Sequence, residues 1–347
     1  MLRQLLAAAA LLSATLATAQ SAPVEAPPRI VAVGDLHGDF VAWTAIAKAA
    51  GLVDARGHWA GGRTIFVQTG DIADRGPDSL SIIRQIQTLQ REAPRAGGKV
   101  IALIGNHEAM IVTGDLRYVS AGEYASFTDP RSKARRDRFF VDHRVTLEAD
   151  ARKRDSSLSP AAIRDAFNKA TPLGMVELAQ AWRADGSIGK WVLANNAVAV
   201  VGGTAFVHGG ISPKYASLGA DEINRRVRAS LRALDTGERA IINDPLGPLW
   251  YRGLITPGDA VGGLATPATP EQQLGLALKG LSATRLVVGH TPQVRGISVR
   301  FGGRLIAIDT GISSAYGGKL SYLEIIGDRV TAHDVPRPPP SSGGTTG

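Results

Sequence analysis

Ile30-Val31-Ala32-Val33-Gly34-Asp35-Leu36-His37-Gly38 is the stretch on which the fold turns. A short apolar run with β-branched residues stops at a glycine, and an acid and an imidazole follow. The same grammar recurs downstream. The run 64–67 leads to Gly70-Asp71-Ile72-Ala73-Asp74-Arg75-Gly76, and 100–104 leads to Gly105-Asn106-His107-Glu108. Helical patterns lie between. Phe40, Trp43, Ala47 and Ala50 share one face, and Pro77-Asp78 opens a helix carrying Leu80, Ile83, Ile86 and Leu89. Strand, glycine turn, polar residue, helix: this unit predicts an α/β protein with crossover connections.

Between 115 and 195 the strand signal disappears. Ser159-Pro160 starts a helix with Ile163 and Phe167 four apart, and Met175, Leu178 and Trp182 make another stripe. Residues 131–154 hold nine Arg or Lys against four acids. The segment reads as a helical, cap-like insertion. Strands resume at 197–201, 205–207, 286–288, 305–308 and 322–326. Ile223, Val227, Leu231 and Leu234 mark one intervening helix, and the capping pair Thr269 and Gln272 around Pro270 marks another. The expected organisation is one catalytic domain over 26–335, with the insertion at 115–195. A Pro/Ser/Gly/Thr-rich tail over 336–347 is expected to be disordered.

Residues 1–19 are expected to be a signal peptide. Arg3 supplies the positive start, 5–16 is a short apolar run, and Ala17-Thr18-Ala19 fits an A-x-A cleavage site. The run is too short for a comfortable membrane span, so no stable membrane anchor is expected. The product would be exported, to the periplasm or outside the cell.

The 347 residues are 44% apolar and 20% charged, a globular balance. There is no cysteine, which excludes disulfides, thiolate metal sites and thiol catalysis. Oxygen and imidazole ligands remain for any metal. The net charge of +8 suits an acidic substrate, but aromatics at 5% offer few platforms for stacking bases. A nucleic-acid partner is not expected.

Five polar clusters fall at strand ends: the three above, His208-Gly209-Gly210 and Gly289-His290-Thr291. Carboxyl ends of strands form the ligand crevice of α/β sheets. Asp35 and His37, two apart, point the same way on an extended segment and can grip one cation.

Taken together, GDLHG, GDIADRG, GNHE, HGG and GHT resemble the calcineurin-like metallophosphoesterases, and specifically the phosphoprotein phosphatase family. Pro248-Leu249-Trp250-Tyr251-Arg252-Gly253 and the insertion resemble its Shewanella-like branch. The resemblance implies a four-layer α/β/β/α sandwich with a helical insertion. It implies two divalent or trivalent ions, with manganese expected before iron or zinc. Asp35, His37 and Asp71 would hold the first ion. Asp71 would bridge to a second, completed by Asn106, His208 and His290. Such a pair acidifies a bridging water for in-line attack on phosphorus. Arg75 and Arg252, with Asn106, would bind the phosphoryl oxygens. His107, oriented by Asp74, would protonate the leaving group, and Glu108 would support the site. The substrate would be a phosphorylated protein at Ser, Thr or Tyr. Arg75-Gly76-Pro77-Asp78-Ser79-Leu80 also resembles hydrolases of dinucleoside polyphosphates, which keeps those and small phosphomonoesters as the alternative. A non-catalytic phosphate-binding module would have no need of His107. If the insertion roofs the centre, its basic residues are expected to hold acidic groups flanking the phosphorylated residue.

Overall fold

A computed structural model describes residues 27–257 and 268–339. The expected signal peptide and the end of the tail, 340–347, lie outside the described residues.

Two five-stranded sheets face each other. The first contains parallel β1 (Arg29–Val33), β2 (Ile65–Gln68) and β3 (Lys99–Ala102), with β9 (Leu320–Ile326) and β10 (Arg329–Val335) added antiparallel in the order β10-β9-β1-β2-β3. The second contains β4 (Val198–Val201), β5 (Thr204–Val207), β6 (Arg285–Val288), β7 (Ser298–Arg300) and β8 (Leu305–Ala307), in the order β4-β5-β6-β8-β7. Alternation along each strand sorts side chains into two cores. Ile30, Ala32, Val67, Phe206, Val287, Ile306, Leu323 and Ile325 pack between the sheets. Their neighbours Val31, Val33 and Phe66 face outward onto α1 (Phe40–Ala49) and α2 (Ser79–Glu92), where Trp43 stacks on Phe66 at 5.3 Å. On the far side, Val207 and Val288 share a core with Val227 and Leu231 of α9 (Gly219–Arg232) and Leu274 and Ala277 of α10 (Pro270–Gly280). These are the four layers the resemblance implied.

No described strand lies between β3 and β4. That stretch holds α3 (Asn106–Val112), α4 (Ala121–Ser126), α5 (Ser132–Arg154), α6 (Pro160–Ala170), α7 (Met175–Trp182) and α8 (Ser187–Ala194). Outside the insertion, three elements escape the sequence reading for physical reasons. All seven residues of α3 are buried, so it has no polar face to set a helical period. β10 is an edge strand, half exposed and polar, with no apolar run. β7 is only three residues long. The stretch expected to be disordered from Pro336 is in part fastened down: Arg337 donates to the carbonyls of Ile312 at 2.6 Å and Gly318 at 3.0 Å. Among the described residues no helix is long and apolar enough to cross a membrane.

Candidate active site

The polar clusters converge because each follows a buried strand. The loop after β1 is tied to the loop after β2, as Leu36 N and His37 N donate to the Asp71 carbonyl at 2.9 and 3.0 Å. Backbone strain concentrates here. Of the eight non-glycine residues with positive φ among the described residues, five are His37, Asp71, Asp74, Arg75 and His290. Strained backbone persists only where its surroundings over-determine it, and it clusters at functional sites. Glycine clears the space. A Cβ on Gly105 would lie 2.1 Å from Asp71 Oδ1, and one on Gly289 would lie 2.5 Å from Asp35 Oδ1.

Asp71 is the hub. Its Oδ2 lies 3.3 Å from His208 Nε2, 3.7 Å from His37 Nε2 and 3.8 Å from His107 Nε2. Two buried trios share it: His37, Asp71 and His107, and Asp71, His208 and His290. Asn106 joins the second, its Oδ1 2.9 Å from His208 Nε2, which is also 3.2 Å from His290 Nδ1. Asp35 stands apart from both trios. Its carboxylate accepts the His290 N–H at 3.1 Å.

The histidine protons are assigned by their partners. His37 Nδ1 faces the Ala73 carbonyl at 3.0 Å, and His208 Nδ1 faces the Thr69 carbonyl at 2.9 Å. A carbonyl only accepts, so Nδ1 carries the proton in both and the Nε2 lone pairs aim inward. Burial pushes His37 down to about 4, and burial with His208 and Arg252 nearby pushes His290 well below the usual range. Burial alone would raise Asp71, but His208, His107 and His37 hold its carboxyl well below the usual carboxylate range. Burial, with Asp309 and Asp71 beside it, pushes Asp35 well above that range. His37 and His290 thus offer neutral imidazole lone pairs beside an ionised carboxylate, and His290 Nε2 is buried with no hydrogen-bond partner among the described residues. Converging lone pairs of this hard and borderline type fit divalent cations.

His107 differs from its neighbours. Its Nδ1 lies 2.7 Å from Asp74 Oδ2. Burial opposes its charge, but Asp71 and Asp74 outweigh it and raise the imidazole. Burial also raises Asp74, which is fully enclosed. Arg75 sits exposed on the rim, with its guanidinium over the rings of Tyr118 and Tyr316. Arg252, half-buried, lines a cavity of about 380 Å³ with Asn243, Pro245 and Trp250, and the Trp250 ring meets His290 edge-on at 5.7 Å.

Glu108 does more than the sequence suggested. Its carboxylate accepts N–H bonds from Gly105, Asp71, Ile72 and Ala73 at 2.8 to 3.1 Å, fixing the loop that carries Asp71. Tyr118 and Asp309 had no motif that would have marked them. Tyr316 is followed by Gly317-Gly318, a glycine turn that could have drawn attention to it.

The basic run of the insertion is largely self-paired. Arg135 binds Asp129 and Glu177, Arg138 binds Asp142, Arg144 and Arg152 bind Glu148, and Lys153 binds Asp150. Arg136 donates to the Asn168 and Thr171 carbonyls. These contacts join α5 to α6 and α7 or follow α5 itself. Most of the charges expected to hold acidic groups flanking a phosphorylated residue are therefore engaged within the insertion itself.

The calcineurin-like phosphoesterase family matches residues 28–320. An uncharacterised protein of Schizosaccharomyces pombe is 32% identical over 88% of this chain and 79% of its own. Shewanella-like protein phosphatase 2 of Arabidopsis thaliana is 34% identical over 87% of this chain and 76% of its own. The crystal structure of a cold-active protein-tyrosine phosphatase from a psychrophilic Shewanella superposes with a TM-score of 0.62 at 26% identity, covering 89% of this chain and 81% of that one. With a matching family across the strand ends, a buried ligand set and protein phosphatase relatives, the chain belongs to the calcineurin-like metallophosphoesterases and is a phosphoric monoester hydrolase.

Proposed function

We propose that the protein is an exported protein phosphatase working with two metal ions, manganese first, held on either side of Asp71. The observation that carries the reading is the convergence of His37, His107, His208, Asn106 and His290 on or beside one carboxylate. Asp35, His37 and Asp71 would hold one ion; Asp71, Asn106, His208 and His290 would hold the other. When bound, the ions supply Lewis acidity to the phosphoryl oxygens and acidify the attacking water.

The remaining work falls to the side chains. Asp74 fixes the His107 proton on Nδ1 in the neutral ring and favours the doubly protonated form, whose Nε2 proton goes to the departing alkoxide or phenoxide. The raised His107 keeps that proton available near neutrality. Arg75 and Arg252 bracket the phosphate with guanidinium forks. Among phosphoproteins, phosphotyrosine is favoured by the similarity to a protein-tyrosine phosphatase of Shewanella.

A turnover panel with added Mn²⁺ tests the reading: phosphopeptides carrying Ser, Thr or Tyr, dinucleoside tetraphosphate, and small phosphomonoesters. The expected result is highest kcat/KM on a phosphopeptide. If dinucleoside tetraphosphate outruns every phosphopeptide, the protein phosphatase assignment is replaced by a polyphosphate hydrolase. Export is tested separately. Intact mass of material from the producing cell should begin near Gln20, and a cytoplasmic chain keeping residues 5–16 would refute it.

A further inference from the structure

Arg75 is an unusual phosphate arm. Its residue and the one before it both have positive φ, at 68° and 70°, so the chain reverses sharply and throws the side chain onto the rim. A long exposed arginine would normally sample many rotamers and lose that freedom on binding phosphate. No carboxylate among the described residues forms an ion pair with it. Two aromatic rings hold it instead. Its Cζ lies 4.6 Å from the centre of the Tyr118 ring and 5.3 Å from that of Tyr316, both within cation–π range.

The rings come from segments far apart in the chain. Tyr118 precedes α4 in the insertion, and its carbonyl accepts the Arg75 N–H at 3.0 Å. Tyr316 sits in the loop between β8 and β9, where its own N–H donates to the Ser313 carbonyl at 2.9 Å. Ser313 Oγ reaches back to the His37 carbonyl at 3.3 Å. The Tyr118 ring also lies 5.2 Å from the His107 ring, and the Tyr316 ring 5.3 Å from the His37 ring. Both tyrosines therefore rest against imidazoles of the centre, with the guanidinium over both. A ring face attracts the cation but makes no directed hydrogen bond with it. No described residue accepts a side-chain hydrogen bond from Arg75, so its N–H donors stay available for phosphoryl oxygens, which a carboxylate partner would have competed for.

We propose that Tyr118 and Tyr316 are positioning residues that hold the Arg75 guanidinium ready for the substrate phosphate. The proposal rests on the phosphatase reading and names the devices that tune its phosphate arm. It predicts that ring faces matter and hydroxyls do not.

The test compares Tyr118→Phe, Tyr118→Leu, Tyr316→Phe and Tyr316→Leu, each alone and combined with Arg75→Ala. The readouts are kcat/KM on a phosphotyrosine peptide and the affinity of the metal-loaded protein for inorganic phosphate by calorimetry. Each Leu variant should lose about 3- to 30-fold in both, the span of one cation–π contact. Each Phe variant should stay within about 2-fold, which also shows that the loop tolerates substitution. In the Arg75→Ala background the Leu losses should vanish, since there is no guanidinium left to hold. Leu losses that persist undiminished without Arg75 would overturn the proposal, because the rings would then be touching substrate directly. Phe variants as poor as Leu would overturn it too, in favour of the hydroxyls. A wild type that turns over no phosphoester removes the phosphatase reading instead, and the phosphate affinities still decide the positioning role.

Discussion

Around Asp71, the side chains of Asp35, His37, Asn106, His208 and His290 are all buried at strand ends, and several lone pairs point at one another. Along α5, eight basic residues lie mostly exposed on one helix, and most of them meet an acid within 3.0 Å. The first region gathers several buried titratable groups around one carboxylate, a costly arrangement unless something else binds there. The second gathers charges that water and neighbours already satisfy, each pair contributing little. Density of charge along the sequence is therefore a poor guide to chemistry. Burial of several titratable groups around one point is the better one.

The comparison is sharpened most by Asp71→Asn. The substitution keeps the shape and the Oδ1 acceptor of the His107 N–H at 3.0 Å, but removes the charge shared by both trios. Turnover should fall by about 1000-fold or more, the several kcal/mol a metal centre supplies. Elemental analysis should find the ions depleted from about two per chain. Full metal content with full turnover would break the contrast at its centre.

His107→Ala separates chemistry from metal holding inside the same buried region. Loss of a general acid costs typically ~100- to 10,000-fold. Metal content should stay near wild type. The loss should be smaller on a nitrophenyl ester than on an alkyl phosphate, because the better leaving group needs less proton donation. Equal losses would make His107 a positioning group.

The two regions also differ in how far the sequence disclosed them. The strand ends were readable because continuous apolar runs stop abruptly at glycine, leaving Asp35, Asp71 and Asn106 no place but the crevice. The sheet pairing that brings His208 and His290 to them was not readable from any local pattern, since those strands lie over 100 residues from β1. The resemblance supplied it. The fourfold backbone grip of Glu108 was hidden because backbone donors leave no trace in side-chain type. Tyr118 was hidden because its partner Arg75 is over 40 residues away. The charge run on α5 was conspicuous in sequence, but its partners, spaced three or four along the helix or lying on neighbouring elements, neutralise much of it.

Glu123, on α4, tests where the insertion meets the buried region. It is 1% exposed, accepts the Ser79 N–H at 2.9 Å, and is raised by burial to about 7, with Asp74 and Asp78 contributing. A raised carboxyl gives stability that is complete below its unfolded value near 4.5 and lost as pH climbs through about 7. Wild type should lose of the order of 2 kcal/mol between about pH 5 and pH 8 relative to Glu123→Gln, measured by denaturant unfolding. Parallel pH profiles in the two proteins would show that Glu123 is ionised throughout.

The smallest effect is expected on the outer face of α5. Arg138 is well exposed, and its pair with Asp142 spans one helical turn at 2.8 Å. Exposed pairs of this spacing contribute about 0.3–0.5 kcal/mol. Arg138→Ala should therefore leave stability within about 1 kcal/mol and turnover unchanged. Arg135 is the counterexample on the same helix: it bonds Asp129 twice and reaches Glu177 on α7, so Arg135→Ala should loosen the joint between α5 and α7 and cost more. Neither change should alter the ratio of kcat/KM between acidic-flanked and basic-flanked phosphopeptides, because both guanidiniums are already engaged. A preference for acidic flanks that salt erodes and Arg138→Ala abolishes would reverse the contrast. Asp142 would then be a partner that substrate displaces, and the exposed helix would take part in recognition after all.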